Sequence, residues 1–177
     1  MRPASEKMCD WDETRDRVRA WQESGESVVM TNGTFDLLHA GHTGYLEWAR
    51  QQGDRLIVGL NTDASIKRIK GDKRPLVEES HRANLLAALE SVDVVVLFDQ
   101  DEPIELISRL LPDVLVKAED WSHYVSGGDI VKENGGEVRL APMMDGVSTS
   151  SLIDRICQVF TGNSAKLDPQ KQREENG

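Results

Sequence analysis

The chain has 177 residues, of which 38% are hydrophobic and 29% charged, and its formal net charge is −10. These values indicate one ordinary globular domain and exclude a broad nucleic-acid-binding surface, which would need a positively charged face. No window approaches the roughly 18 uninterrupted apolar residues of a membrane span. The polar N-terminus also lacks the apolar core of a signal peptide. We therefore expect a cytoplasmic protein that binds neither nucleic acid nor membrane.

Apolar runs and amphipathic segments alternate along the chain, which predicts strands separated by helices. Strands are predicted over residues 27–31, 55–61, 92–98, 113–117 and 137–142. Helices are predicted over about 10–24, 43–52, 64–69 and 78–91, after Pro103, and from Ser148 onward. Because each strand is a continuous apolar run, the pattern predicts a parallel five-stranded sheet with helices on both faces.

Composition divides the chain into three parts. Residues 1–26 are predicted to form an N-terminal helical extension, and residues 27–160 the α/β domain. Residues 161–177 have almost no apolar side chains, which predicts a disordered tail.

The segment "NGTFDLLHAGH" follows the first predicted strand, where ligands of parallel sheets bind. Gly33 and Gly41 allow a ligand to approach the backbone closely, and the helix that follows offers free N–H groups to a phosphate. His39 and His42 are three residues apart, so on a helical turn both imidazoles face the same way and can donate to phosphate oxygens. Taken alone, such a pair is more often packed or solvent-facing than a set of ligands.

A basic segment, "KRIKGDKR", follows the second predicted strand. On its own, such a segment is usually a solvated surface loop. Its place beside the histidine motif favours phosphate binding, with Lys67 and Lys70 as the preferred residues. Arg82 on the next helix is expected to reach the same phosphates, the alternative being a salt bridge with Glu78 or Glu79.

The string "GTFDLLHAGH" resembles the GxFDxxHxGH signature of the cytidylyltransferase-like nucleotidyltransferases. The resemblance implies a Rossmann-like α/β fold in which His39, His42 and Lys70 are catalytic and stabilise charge on a nucleoside triphosphate. In this reaction an acceptor phosphate attacks the α-phosphorus, and pyrophosphate leaves. A phosphomonoester is largely ionised at neutral pH, so the site must supply positioning and positive charge and needs no strong base.

The resemblance also implies the remaining site residues. Those expected to bind the nucleotide are Asn32, Gly33, Thr34, Phe35, Gly41, Lys117, Asp120, Trp121, Ser148 and Thr149. Those expected to bind the acceptor are Asp36, Asp63, Lys67 and Arg82, although either aspartate can instead cap a turn. Mg²⁺ is expected to be held mainly by the triphosphate, with no metal site on the protein. Relatives commonly pair, which suggests a homodimer.

Within the family, the resemblance is strongest to the adenylyltransferase domain of ADP-heptose synthesis enzymes. That domain has the patterns TNGCFDxLHxGH, NSDAS-KRLKGDSRP, DLLVKGGDY and DGCSTTNII, to which "TNGTFDLLHAGH", "NTDASIKRIKGDKRP", "DVLVKAEDW" and "DGVSTSSLI" are similar. This resemblance implies transfer of AMP from ATP to a sugar 1-phosphate, D-glycero-β-D-manno-heptose 1-phosphate.

Two alternatives to that activity stay open. Ala118 and Glu119 replace two glycines of the pattern, and "EDW" is similar to the "DDW" of cytidylyltransferases. A CTP-dependent cytidylyltransferase acting on glycerol 3-phosphate or a related polyol phosphate is therefore one alternative. A non-catalytic nucleotide sensor is the other, although a sensor would not need both His39 and His42.

Overall fold

The computed structural model describes residues 2–119, 125–142 and 148–161. Within them, five parallel strands form one sheet in the order β3-β2-β1-β4-β5. The strands are β1 (Val28–Gly33), β2 (Arg55–Asn61), β3 (Val94–Phe98), β4 (Val114–Ala118) and β5 (Glu137–Ala141). The strand order reverses between β1 and β4, which makes the carboxyl edge at that point the expected place for a ligand.

Helices cover both faces of the sheet. They are α1 (Trp11–Glu23), α2 (Ala40–Arg50), α3 (Asp63–Lys70), α4 (Glu79–Ala87), α5 (Ile104–Leu110), α6 (Gly128–Glu133) and α7 (Thr149–Thr161). Helices α2 and α4 pack on one face through residues such as Leu46 and Leu86. Helices α1, α5 and α6 pack on the other through residues such as Val18, Ile107 and Val131. The predicted Rossmann-like fold, a five-stranded parallel sheet with helices on both faces, is confirmed.

The structure differs from the sequence prediction at a few elements. Helix α2 begins at Ala40, three residues earlier than predicted, because His39 caps it. Helix α6 was not predicted, since its six residues, "GDIVKE", are too few to show a helical period. Apart from residue 161, which ends α7, the predicted tail lies outside the described residues. No helix of the described residues combines the length and the apolar character needed to cross a bilayer.

The N-terminal segment is part of the sheet's architecture. Met8 forms a parallel bridge with Val95, and the Trp11 indole N–H donates to the Leu97 carbonyl at 2.7 Å. These contacts cover the outer edge of β3, which would otherwise present unpaired backbone groups. Trp11 and Trp21, apolar residues of α1, pack against the buried cluster under that helix.

Asp93, at the start of β3, joins three other parts of the chain. Its buried carboxylate contacts Arg2 at 2.7 Å, Arg50 at 3.3 Å and Arg55 at 3.4 Å. It also accepts the backbone N–H of Leu56 at 2.9 Å, in the interior. The N-terminal segment, α2 and β2 are thus held together at the amino edge of the sheet.

We expect Asp93→Ala to lower the free energy of unfolding by about 2 kcal/mol, because it leaves a buried N–H and three arginines without their shared acceptor. Urea denaturation measures the change. Asp16→Ala, which removes an exposed ion pair with Arg15, is the control and is expected to leave the midpoint unchanged. Equal midpoints for the two variants would contradict a stabilising role for Asp93.

Candidate active site

The loop between β1 and α2 is shaped by an unusual backbone conformation. Phe35 has a φ of 42°, in the left-handed region that residues with a Cβ rarely adopt. Its buried ring lies over Gly33, where an added Cβ would come within 3.0 Å of the ring. The ring also meets His42 edge-on, with centroids 5.1 Å apart. Gly33 therefore leaves space for the Phe35 ring, and that ring packs against His42.

His39 is the N-cap of α2. Its Nδ1 accepts the backbone N–H of His42 at 3.3 Å, and its ring stacks on the ring of His42 with centroids 3.7 Å apart. Because Nδ1 is an acceptor, the proton of the neutral ring is on Nε2, which can donate to an anion. The structure brings both imidazoles together at the amino end of α2, where Gly41 is the second residue, and their contact with a nucleotide stays a prediction.

The environment keeps both histidines neutral at physiological pH. Burial, followed by repulsion from His39 and Lys70, lowers the pKa of His42 to about 4, while its backbone interaction with Leu37 works in the opposite direction. Burial also lowers the pKa of His39. The Nδ1 atom of His42 is buried and has no hydrogen-bond partner among the described residues. A phosphate placed here would reverse these shifts, because a nearby anion favours the charged imidazole.

The basic segment after β2 separates into two groups. Lys70 lies near enough to His42 to influence it, and desolvation and repulsion from Arg74 lower the pKa of Lys70, while Asp36 raises it. Arg68 instead pairs with Asp101 at 2.8 Å and turns toward the loop after β3. Lys70 is therefore within electrostatic range of His42, whereas Arg68 is engaged away from the histidine pair.

Lys67 is exposed on α3, and its predicted contact with the acceptor stays a prediction.

Asp36 holds the loop that precedes α4. Its carboxylate accepts the backbone N–H groups of Leu76 at 2.7 Å and Val77 at 2.9 Å, and Arg74 donates to it at 2.5 Å. Asp36 is thus the turn cap that the sequence left open as an alternative. Sequence analysis missed Arg74 as its partner, because the two residues are 38 positions apart and no local pattern connects them.

Arg82 is fully buried and links three segments of the chain: the loop after β1, the loop before α4 and the start of α3. Its guanidinium donates to the Thr34 carbonyl at 2.7 Å, the Val77 carbonyl at 2.8 Å and the Asp63 carboxylate at 2.6 Å. The salt bridge is therefore with Asp63 and not with Glu78 or Glu79, because the guanidinium points inward. Arg82 and Asp63, both assigned to the acceptor from sequence, contact each other in the structure.

Lys117 and Asn32 meet at the carboxyl edge of the sheet. The Lys117 ammonium donates to the Asn32 side-chain carbonyl at 2.5 Å. Desolvation lowers the pKa of Lys117 to about 8, and Glu102 works against that shift. Both residues were predicted to bind the nucleotide.

The last predicted nucleotide contacts lie around α7. The Ser148 hydroxyl accepts the Ser151 backbone N–H at 3.0 Å, and the Ser151 hydroxyl accepts the Ser148 N–H at 2.9 Å. Ser148 is therefore the cap of α7, and Thr149 is its first residue. Asp120 and Trp121 lie outside the described residues.

The fold is a parallel α/β sheet, and the residues predicted for phosphate binding gather at its carboxyl edge, near the reversal of strand order. The sequence profile of the family described as cytidylyltransferase-like matches residues 30–155, and the chain belongs to this family. The family prediction is thereby confirmed.

Similar proteins were found by sequence and by structure. The chain is 52% identical over 153 residues to the "Bifunctional protein HldE" of Magnetococcus marinus and 51% identical over 153 residues to that of Methylobacillus flagellatus. These alignments cover 86% of this chain, which spans 31% of each relative's length. A crystal structure of a lipopolysaccharide core biosynthesis protein from Thermoplasma volcanium superposes with a TM-score of 0.55 at 26% identity, over 70% of this chain and 100% of that one. Pantothenate synthetase from Thermus thermophilus, at a TM-score of 0.57 and 14% identity over 96% of this chain and 70% of that one, shares the fold.

We expect stability to fall as the pH is lowered from about 6.5 to about 4. The folded pKa of His42, about 4, is below its unfolded value of 6.5, so the unfolded chain binds more protons in this window. His42→Asn removes that difference. Between pH 7 and pH 5 it should lose about 1 kcal/mol less than the parent, after allowance for partial exposure of the ring. Urea unfolding at the two pH values measures this, and parallel losses would contradict the neutral, desolvated state of His42.

Proposed function

We propose that this chain is a nucleotidyltransferase that transfers AMP from ATP to a sugar 1-phosphate, D-glycero-β-D-manno-heptose 1-phosphate, with release of pyrophosphate. The observation that carries the proposal is the stacked pair of His39 and His42 at the amino end of α2, with Lys70 within electrostatic range of His42. The identity of about one half with two proteins named HldE over 86% of the chain supports the choice of branch. The motif resemblance to ADP-heptose synthesis enzymes supplies the nucleotide and the acceptor.

The reaction needs positioned positive charge. An oxygen of the acceptor phosphate bonds to the α-phosphorus as the bond from that phosphorus to the β-phosphate oxygen breaks, and the electron pair leaves with pyrophosphate. We infer that the Nε2–H of His39 and the free N–H groups at the amino end of α2 stabilise this developing charge. His42, whose pKa is lowered to about 4 in the free protein, gains positive charge as the triphosphate enters, and Lys70 adds its ammonium beside it.

Mg²⁺ fits this site as a partner of the triphosphate. Within the described residues there is no group of three or more His, Cys, Asp or Glu side chains that could hold a metal ion. Asp36 lies in the loop between β1 and α2, and Asp63 is joined to that loop through Arg82. Both carboxylates form ion pairs, Asp36 with Arg74 and Asp63 with Arg82. We infer that the ion enters with ATP, held by phosphate oxygens, and neutralises part of the charge on the leaving pyrophosphate.

The first test is pyrophosphate release with each of ATP, CTP, GTP and UTP against heptose 1-phosphate, hexose 1-phosphates and glycerol 3-phosphate, all with Mg²⁺. We expect turnover to be fastest with ATP and the heptose phosphate. Addition of EDTA should abolish turnover and leave the melting temperature of the nucleotide-free protein unchanged. A preference for CTP and glycerol 3-phosphate would overturn the proposal and make Glu119, in "AEDW", the better indicator of the base.

The histidine pair is tested by His39→Ala and His42→Ala. Each should lower kcat by about 100- to 1,000-fold, the usual effect of losing one donor to developing charge. Circular dichroism should show that both variants keep the parent's secondary structure, while His39→Ala should unfold at somewhat lower urea because it removes the cap of α2. Retained kcat in both variants would rule out a catalytic role for the histidine pair.

A further inference from the structure

The sheet opens between β1 and β4 at its carboxyl edge. The two strands pair in register only at Val29 with Val114 and at Met30 with Leu115. Asn32 and Lys117 lie two residues beyond the last of these pairs, on the strand ends that flank the opening. The strand order reverses here, so this crevice is the place where an α/β sheet admits a ligand.

The crevice and the histidine pair lie toward opposite faces of the sheet. Met30 and Leu115 are in the buried cluster beneath α1, α5 and α6. Side chains two apart on a strand share a face, so Asn32 and Lys117 also face that way. Helix α2, which carries His42, packs on the other face through Leu46.

The polar groups in the crevice have unused hydrogen-bonding capacity. Lys117 is partly exposed, and its ammonium, with three donors, makes one hydrogen bond to the described residues, to Asn32. The Asn32 amide N–H₂ makes none with them. Glu102, the carboxylate that acts on Lys117, itself accepts the Ser126 hydroxyl at 2.7 Å.

Glycine at position 59 leaves room beside Asn32. Gly59 is the register partner of Asn32 on β2. A Cβ at Gly59 would lie 3.2 Å from the Cβ of Asn32 and 3.1 Å from Cδ2 of Leu106, so any larger residue would crowd the crevice. A side chain at position 59 would therefore press on Asn32 and Leu106.

In-line transfer separates the two reactants. The attacking and leaving oxygens lie on opposite sides of the α-phosphorus, so groups that hold the pyrophosphate cannot also hold the body of the acceptor. We propose that Asn32 and Lys117 bind hydroxyl groups of the acceptor sugar, while His39, His42 and Lys70 hold the triphosphate. An amide offers both a donor and an acceptor and an ammonium offers donors, which suits sugar hydroxyls. This assignment rests on the proposed function and moves both residues from the nucleotide to the acceptor.

Asn32→Ala and Lys117→Met test the assignment, with Lys132→Met, an exposed lysine on α6, as the control. In the full chain, each test variant should raise the KM for the sugar 1-phosphate about tenfold or more, the effect of one lost hydrogen bond to a polar group. The KM for ATP and the inhibition constant of pyrophosphate against ATP should stay within about twofold of the parent. Lys132→Met should change none of the three.

Other outcomes overturn the assignment. A raised KM for ATP or a weakened inhibition by pyrophosphate, with the acceptor KM unchanged, would place Asn32 and Lys117 at the nucleotide. Three unchanged constants would place them outside the site. Lys117→Arg, which keeps a charged donor, is the second variant if Lys117→Met fails to fold. An acceptor KM that is parent-like in Lys117→Met but raised in Lys117→Arg would also refute a donor role. Absence of turnover by the parent with every sugar 1-phosphate would instead refute the proposed function.

Discussion

The arrangement of the candidate site depends on one buried charge, the guanidinium of Arg82. A buried arginine is tolerated only when its N–H groups are matched by acceptors. Arg82 finds these on the Thr34 carbonyl, the Val77 carbonyl and the Asp63 carboxylate, which belong to two loops and the start of α3. These three segments cannot move apart without leaving this charge unpaired in the interior. Burial of Arg82 therefore makes the carboxyl edge of the sheet rigid. The loop between β1 and α2, which carries His39, is held in place by the hydrogen bond from Arg82 to Thr34.

The same rigidity explains the electrostatic state of the histidines. The ring of His42 contacts Phe35 edge-on and stacks on His39, and its partial burial disfavours its charged form. Neutral imidazoles cost the folded protein less than two charged rings 3.7 Å apart would. In the proposed reaction, the imidazoles gain positive charge only when a phosphate enters. The site therefore becomes positive in response to the negative charge of the ligand. Such a site binds the transition state, where the negative charge is highest, more tightly than the ground state.

Local patterns in the sequence predicted most of the fold and part of the site. The strands are continuous apolar runs and the glycine–histidine motif lies within eleven residues, so both could be read without tertiary knowledge. The partners of Asp36 and Arg82 could not, because Arg74 and Thr34 are 38 and 48 positions away from them. Charged residues near a motif are easily assigned to the ligand, whereas only the fold shows that an arginine and an aspartate neutralise each other.

That neutralisation also resolves how a chain with a net charge of −10 can present a site to a polyanion. The carboxylates of Asp36 and Asp63 lie beside the histidine loop and would repel a triphosphate if they were free. Arg74 and Arg82 engage them at 2.5 and 2.6 Å, so their negative charge is largely cancelled at the distances that matter to a ligand. Lys70 and the amino end of α2 are then the groups that an approaching phosphate meets. The net charge of the chain is set by its surface, and at distances beyond about 10 Å that surface is screened by salt, so the field within the site is decided by these few paired groups.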